Sequence, residues 1–245
     1  MKLELIRHAD PDYSIDSLTP TGWKEAELLS DYLSGQEIAA FYVSPLGRAK
    51  DTASLTLKKM NRNATECAWL QEFPARIHRP DLPEGREISC TWDWLPADWT
   101  KEPRYYDKDT WYTTDVMKDA HVGEIYHQIT SGLDQLLAFH GYEREGEYYR
   151  AVRPNRDTIA LFCHFGLECV LLSHLLGISP MPLWHGTCAA PSSVTTVVTE
   201  ERRQGIANFR MLSFGSTAHL YAAGEKPSFA ARFCETYDNM NERHD

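Results

Sequence analysis

The 245-residue chain lacks any apolar run near the roughly 18–20 residues needed to cross a bilayer, so no membrane span is expected. It lacks a Cys-x-x-Cys pair among its six cysteines, and Cys163 and Cys169 sit in apolar surroundings, where cysteine serves as a small core residue. Neither a disulfide framework nor a cysteine zinc site is expected, which points to a reduced, cytoplasmic protein. It lacks positive charge as well. Lys and Arg number 25 against 35 Asp and Glu, a net charge of −10, which argues against a nucleic-acid or anionic-membrane partner. The N-terminus enters a strand carrying Glu4 and Arg7 directly, unlike a secretory leader. Internal repeats and low-complexity segments are absent too. What remains is an ordinary globular composition, 42% hydrophobic and 24% charged, long enough for one α/β domain over residues 1–245 with an insertion.

Met1–Asp10, MKLELIRHAD, organises the rest. Leu3, Leu5 and Ile6 read as a buried strand that stops at Arg7-His8. In an open α/β sheet the carboxyl ends of the strands are where ligands collect, and an arginine beside an imidazole there suits an anion. Thr21 reads as the N-cap of a helix with apolar positions Trp23, Ala26, Leu29 and Leu33, closed by Gly35. Ile38–Val43 reads as a second strand closed by Ser44-Pro45, and the helix after it carries Arg48 in its first turn, where free N–H groups also favour an anion. Glu66–Leu70 reads as a third strand leading into Glu72. Gly123–His140 has the period of an amphipathic helix, and Gly141–Asn155 reads as a charged connection. Thr158–Cys163 is a strongly apolar strand ending in His164, followed by a helix apolar nearly all round. Ser193–Thr199 and Ile206–Phe214 read as closing strands, and a polar tail follows from Gly215.

A three-layer α/β/α, doubly wound and mostly parallel sheet would gather Arg7, His8, Arg48, Glu72 and His164 at one edge. Two imidazoles, two guanidinium groups and one carboxylate make a metal-free phosphoryl-transfer set. Zinc held by the two histidines and Glu72 is the rival, opposed by the adjacent arginines and by the lack of a His-x-x-x-His spacing. Glu84 and Glu87 compete with Glu72 for the carboxylate's role. His174, His185 and His219 read as structural, and Ser192 and Ser193 as candidates for the edge of the anion pocket.

LIRHAD resembles the Arg-His-Gly signature of the histidine phosphatase superfamily, the phosphoglycerate mutase-like fold. LTPTGWKEAELLSDYL resembles that family's Leu-Thr-x-x-Gly loop and first helix. VSPLGRAKDTA resembles its Ser-x-x-x-Arg-x-x-x-Thr-Ala turn, WLQEF its acid-bearing strand, and FCHFG its second histidine. The resemblance covers most of residues 1–72 and 157–200. It departs at Ala9, where glycine is usual, and at Phe165, where a glycine usually follows the second histidine and a phenyl ring would narrow the pocket.

The resemblance implies a phosphatase without cofactor or metal that hydrolyses a small phosphorylated metabolite. His8 would become phosphohistidine, Arg7, Arg48 and His164 would hold the phosphoryl oxygens, and Glu72 would move the proton. The alternatives are a phosphoglycerate mutase, disfavoured because FPARIHRPDLPEG lacks the expected basic clamp, and an inactive phosphate-ligand binder. The oligomeric state stays open, a homodimer included.

Residues 73–122 match nothing in that family pattern. Five prolines, Trp92, Trp94, Trp99 and Trp111, and three tyrosines without a clear period read as a lid over the sheet edge. Its tryptophans serve as the lid's own core, as a wall for an apolar or aromatic leaving group, or as both. Trp92, Trp94, Arg76 and Arg86 are its candidate substrate contacts.

Overall fold

The structure, a computed structural model, describes residues 1–82, 88–228 and 238–239. Its strands and helices run in the order β1 (Lys2–Arg7), β2 (Pro11–Asp12), β3 (Ser17–Leu18), α1 (Pro20–Ser34), β4 (Ala40–Val43), α2 (Gly47–Met60) and β5 (Thr65–Glu66). The lid contributes β6 (Arg76–His78), β7 (Ile88–Cys90), α3 (Pro96–Trp99) and α4 (Asp115–Asp119). Then come α5 (Val122–Phe139), β8 (Tyr142–Glu145), β9 (Tyr148–Ala151), β10 (Thr158–Cys163), α6 (Phe165–Leu176), α7 (Pro180–Gly186), β11 (Val194–Arg203), β12 (Ile206–Ser216) and α8 (Ala218–Ala222).

Eight strands form one sheet in the order β5-β4-β10-β1-β11-β12-β9-β8. The first four are mutually parallel and the last four antiparallel, so the sheet is mixed. β1 sits centrally because every residue of LELI is buried, with Leu3, Leu5 and Ile6 fully enclosed. Side chains on a strand alternate faces, and that alternation divides the core. Leu3, Leu5, Ile159, Leu161 and Cys163 join the cluster beneath α5, α6 and the lid. Ile6, Ala160 and Phe162 join the opposite cluster beneath α1 and α2. The register pairs Arg7 with Cys163 and Phe162 with Val43, so three strands end together at Arg7-His8, Cys163-His164 and Val43-Ser44. Main-chain bonds stitch that edge: His8 N–H donates to the Cys163 carbonyl at 3.0 Å, and Ser44 N–H to that of Phe162 at 3.0 Å.

Several local expectations change. Helix α1 is capped by Thr19, whose hydroxyl accepts from Gly22 N–H, because Pro20 takes the first helical position. Trp23 is left exposed. The expected strand 66–70 is two residues of β5 followed by a 3-10 turn at Ala68–Leu70, since only Val43 and Tyr42 remain to pair with it. The charged connection 141–155 folds into the β8–β9 hairpin, turning at Gly146 with φ 59°. Among the described residues no helix is long and apolar enough to cross a membrane.

The lid is no detached flap. Trp94, Trp99, Tyr105 and Trp111 are buried in the same cluster as Leu3, Leu161 and the inner face of α5. Trp111 is fully enclosed, edge-on to Tyr126 and Trp184 at 5.3 and 5.5 Å between ring centroids. Trp111→Ala is therefore expected to cost about 3–5 kcal/mol in urea unfolding while keeping a single transition. A first transition confined to the lid would show that it folds separately.

Candidate active site

The edge where β1, β4 and β10 end brings His8 and His164 together, their ring centroids 5.1 Å apart. His8 is 2% exposed and His164 fully buried. His8 Nδ1 lies 2.8 Å from its neighbour Ala9's carbonyl oxygen. A carbonyl only accepts, so Nδ1 carries the proton and Nε2 keeps its lone pair. Burial lowers the His8 pKa well below the usual imidazole value, and the charges of Arg7 and Arg48 lower it further, against the Ala9 carbonyl. His164 is pushed the same way, first by burial, then by His8, Arg48 and Arg7. Its Nε2 lies 2.7 Å from Ser44 Oγ, which also accepts from Leu46 N–H. Ser44 Oγ still has its own proton to give to Nε2, and in that tautomer the buried Nδ1–H of His164 has no acceptor among the described residues.

Arg7 and Arg48 are each anchored by one terminal nitrogen. Arg7 Nη1 donates to the Ala189 carbonyl at 2.5 Å, and its guanidinium lies 5.8 Å from the centre of the Phe165 ring. Phe165 thus packs against Arg7. Arg48 Nη1 donates to Asp16 Oδ1 at 2.6 Å, and Asp16 also accepts from Gly47 N–H at 2.7 Å. Burial works against the Asp16 charge, yet the Gly47 and Arg48 bonds hold its carboxyl below the usual range. Gly47 is required by that approach, because a Cβ there would lie 2.0 Å from the Asp16 carbonyl oxygen. The Nε of both arginines is buried without a partner. Buried polar groups are nearly always paired, so orphan nitrogens on Arg7, Arg48 and His164, two of them donors on cationic groups, mark a place for an anion.

Glu72 follows the 3-10 turn and is half-buried. Its Oε1 accepts from Phe73 N–H at 2.8 Å and Leu167 N–H at 3.0 Å, leaving Oε2 for a proton. Burial raises its pKa, opposed by the Phe73 bond, the Arg7 charge, the Leu167 bond and Arg48. A Cβ on Gly166 would lie 2.6 Å from Trp92 Nε1 and 2.8 Å from Glu72 Oε1. Glycine at that position lets the lid's Trp92 and the carboxylate close over the start of α6. The fold thus gathers a neutral imidazole with a free nitrogen, a cationic cradle and a carboxyl group biased toward its acid form. Among the described residues no three His, Cys, Asp or Glu side chains converge on a metal-sized site.

The profile of the histidine phosphatase superfamily (branch 1) matches residues 3–211. The chain belongs to that superfamily. No curated protein matches it in sequence. Among solved structures it is similar to a phosphoserine phosphatase from Entamoeba histolytica in complex with 3-phosphoglyceric acid, at 21% identity and TM-score 0.56, covering 89% of this chain and 98% of that one. A mycobacterial glucosyl-3-phosphoglycerate phosphatase complexed with VO3 is similar at 19% identity and TM-score 0.56, covering 88% and 99%. At such identities the likeness carries the fold alone.

The remaining candidates of this superfamily member fall outside the cradle or beside it. Trp92 borders Glu72, and Trp94 is buried and lines a neighbouring cavity. Arg76 is exposed and donates to Cys90 Sγ. Arg86, Glu84 and Glu87 lie outside the described residues. Ser192 Oγ pairs with His219 Nε2 at 3.0 Å, whereas Ser193 Oγ is buried without a partner. His174 binds Asp134, and His185 Nδ1 lies 2.8 Å from the Met181 carbonyl.

Sequence reasoning passed over Asp16, Ser44 and Glu168. Ser44 is the serine of the VSPLGRAKDTA motif and Glu168 is the one acid in the otherwise apolar FGLECVLLSHLL, whereas Asp16 carried no signal. Glu168 is fully buried, and burial pushes its carboxyl up to about 7, against Thr195 and the Arg7 charge. Because the folded value exceeds that of the unfolded chain, the group costs nothing below the usual 4.5. The cost grows as pH rises from there and levels off above about 7, at about 3 kcal/mol. Glu168→Gln should therefore stabilise the protein more at pH 8 than at pH 5 in urea titrations. A difference independent of pH would contradict this.

Proposed function

We propose that the protein is a metal-independent phosphomonoesterase acting through a phosphohistidine on His8. The observation that carries the reading is the set of unpaired buried nitrogens on Arg7, Arg48 and His164, all close to an imidazole whose Nε2 lone pair is free. A tetrahedral dianion fits such a cradle. Positive charge and N–H donors preorganised there stabilise the phosphoryl group in transit, which is most of what catalysis of phosphoryl transfer requires.

His8 Nε2 attacks phosphorus as the bond to the leaving oxygen breaks, and Glu72 gives that oxygen its proton. Glu72, now a carboxylate, then takes a proton from water, which attacks phosphorus and returns His8 and inorganic phosphate. The opposite pKa displacements suit these roles. His8 stays unprotonated at pH values where free histidine is charged, and Glu72 holds its proton at pH values where free glutamate has lost it. Arg7 and Arg48 are held by Ala189 and Asp16, so little ordering remains to be done when substrate enters. The substrate is read as a small phosphorylated metabolite.

Steady-state assays on a short-chain alkyl phosphate test the reading. Release of phosphate should survive EDTA, be blocked by vanadate and vanish in His8→Ala. Glu72→Gln should lose about 10²–10⁴-fold, together with the alkaline fall of kcat/KM. Loss of activity with EDTA would return zinc chemistry. Interconversion of phosphoglycerates without phosphate release would favour a mutase, and binding without turnover an inactive binder.

A further inference from the structure

Beneath the lid a cavity of about 220 Å³ is lined by Trp92, Trp94, Leu95, Pro96, Trp184 and Thr187, with Asp93 and His185 completing it. Two of these residues tie it to the reacting edge. Trp92 places its indole nitrogen beside Glu72 Oε1 above Gly166, and Trp184 donates its indole N–H to the Gly166 carbonyl at 2.8 Å. Two indoles are thus shared between the cavity wall and the start of α6, where Glu72 sits. We propose that it is the leaving-group subsite, and that it selects phosphomonoesters of uncharged aromatic alcohols over carboxylate-bearing ones. The proposal rests on the phosphatase reading above.

Size and chemistry both support this class. A cavity of about 150 Å³ lined by apolar side chains already holds a benzene ring, and indole faces favour aromatic partners. The Trp92 N–H is buried without an acceptor and can donate to a substrate oxygen near the ester bond. Among the described residues a carboxylate would find no counter-charge. No described lysine or arginine lines the cavity, Asp93 does, and burial pushes His185 down to about 4, leaving it neutral. The lid's described arginines are engaged elsewhere. Arg79 is held by both oxygens of Asp81 and by the Asp93 carbonyl, Arg104 by Glu102, and Arg76 by Cys90.

The test compares benzyl phosphate, ethyl phosphate and 3-phosphoglycerate, all alkoxide leaving groups, so that pocket contacts rather than leaving-group acidity set the ratios. Benzyl phosphate should exceed both others in kcat/KM by about 10- to 100-fold. Leu95→Arg, at a residue 56% exposed at the cavity mouth, should shrink the benzyl-to-3-phosphoglycerate ratio by about tenfold or more. Equal turnover of all three would overturn the subsite while leaving the phosphatase reading intact. If no ester is hydrolysed, the phosphatase reading fails by itself. Calorimetry with benzylphosphonate and ethylphosphonate then still decides the cavity: about tenfold tighter binding of the benzyl compound supports it, and equal binding overturns it.

Discussion

The arrangement depends on burying two imidazoles beside two guanidinium groups. In water a histidine is charged for part of its life near neutral pH. Here enclosure at the edge of β1 and β10, with Arg7 and Arg48 adjacent, makes protonation of either ring costly. Neutral rings then sort themselves by their partners. The Ala9 carbonyl accepts from His8 Nδ1–H and frees Nε2, while His164 Nε2 pairs with the Ser44 hydroxyl and its buried Nδ1 stays without a partner. One ring becomes a base or nucleophile beside a second neutral ring with an unpaired nitrogen, without either changing charge.

The fold supplies what this arrangement needs. Parallel pairing of β1, β10 and β4 ends three strands at one level, so that each contributes its next residue to one edge. The antiparallel strands beyond β1 extend the sheet and cover it, and the loop before β11 provides the Ala189 carbonyl that fixes Arg7. The lid closes the other side. Because Trp111 and Trp94 are part of the main core, Trp92 is held over Gly166 by a rigid wall.

Much of this was legible in the sequence. The apolar Leu3, Leu5 and Ile6 and the apolar run TIALFC identify β1 and β10, and the polar residues that end them are the ones gathered at the edge. Arg48 was legible because it opens a helix immediately after a strand. Partners drawn from distant loops were not. Asp16 lies in an irregular turn with φ 48°, and nothing local tells that it will cradle Arg48. The β8–β9 hairpin escaped because its edge position leaves EREGEYYR half-exposed, and tyrosines and charges alternating there carry no apolar period. The lid defeated periodicity altogether, since its short elements are ordered by contact with α5 and α7. Its division into core tryptophans and a cavity wall became visible only in three dimensions.

The central claim is chemical and positional: the phosphoryl group rests on Nε2 of His8. Quenching Glu72→Gln during turnover of an activated aryl phosphate, then examining the phosphoprotein by phosphorus NMR and peptide mass spectrometry, tests it most directly. The account predicts a single phosphohistidine at His8, linked through Nε2. Linkage through Nδ1, phosphate on any other residue, or phosphate release without a covalent species would contradict it.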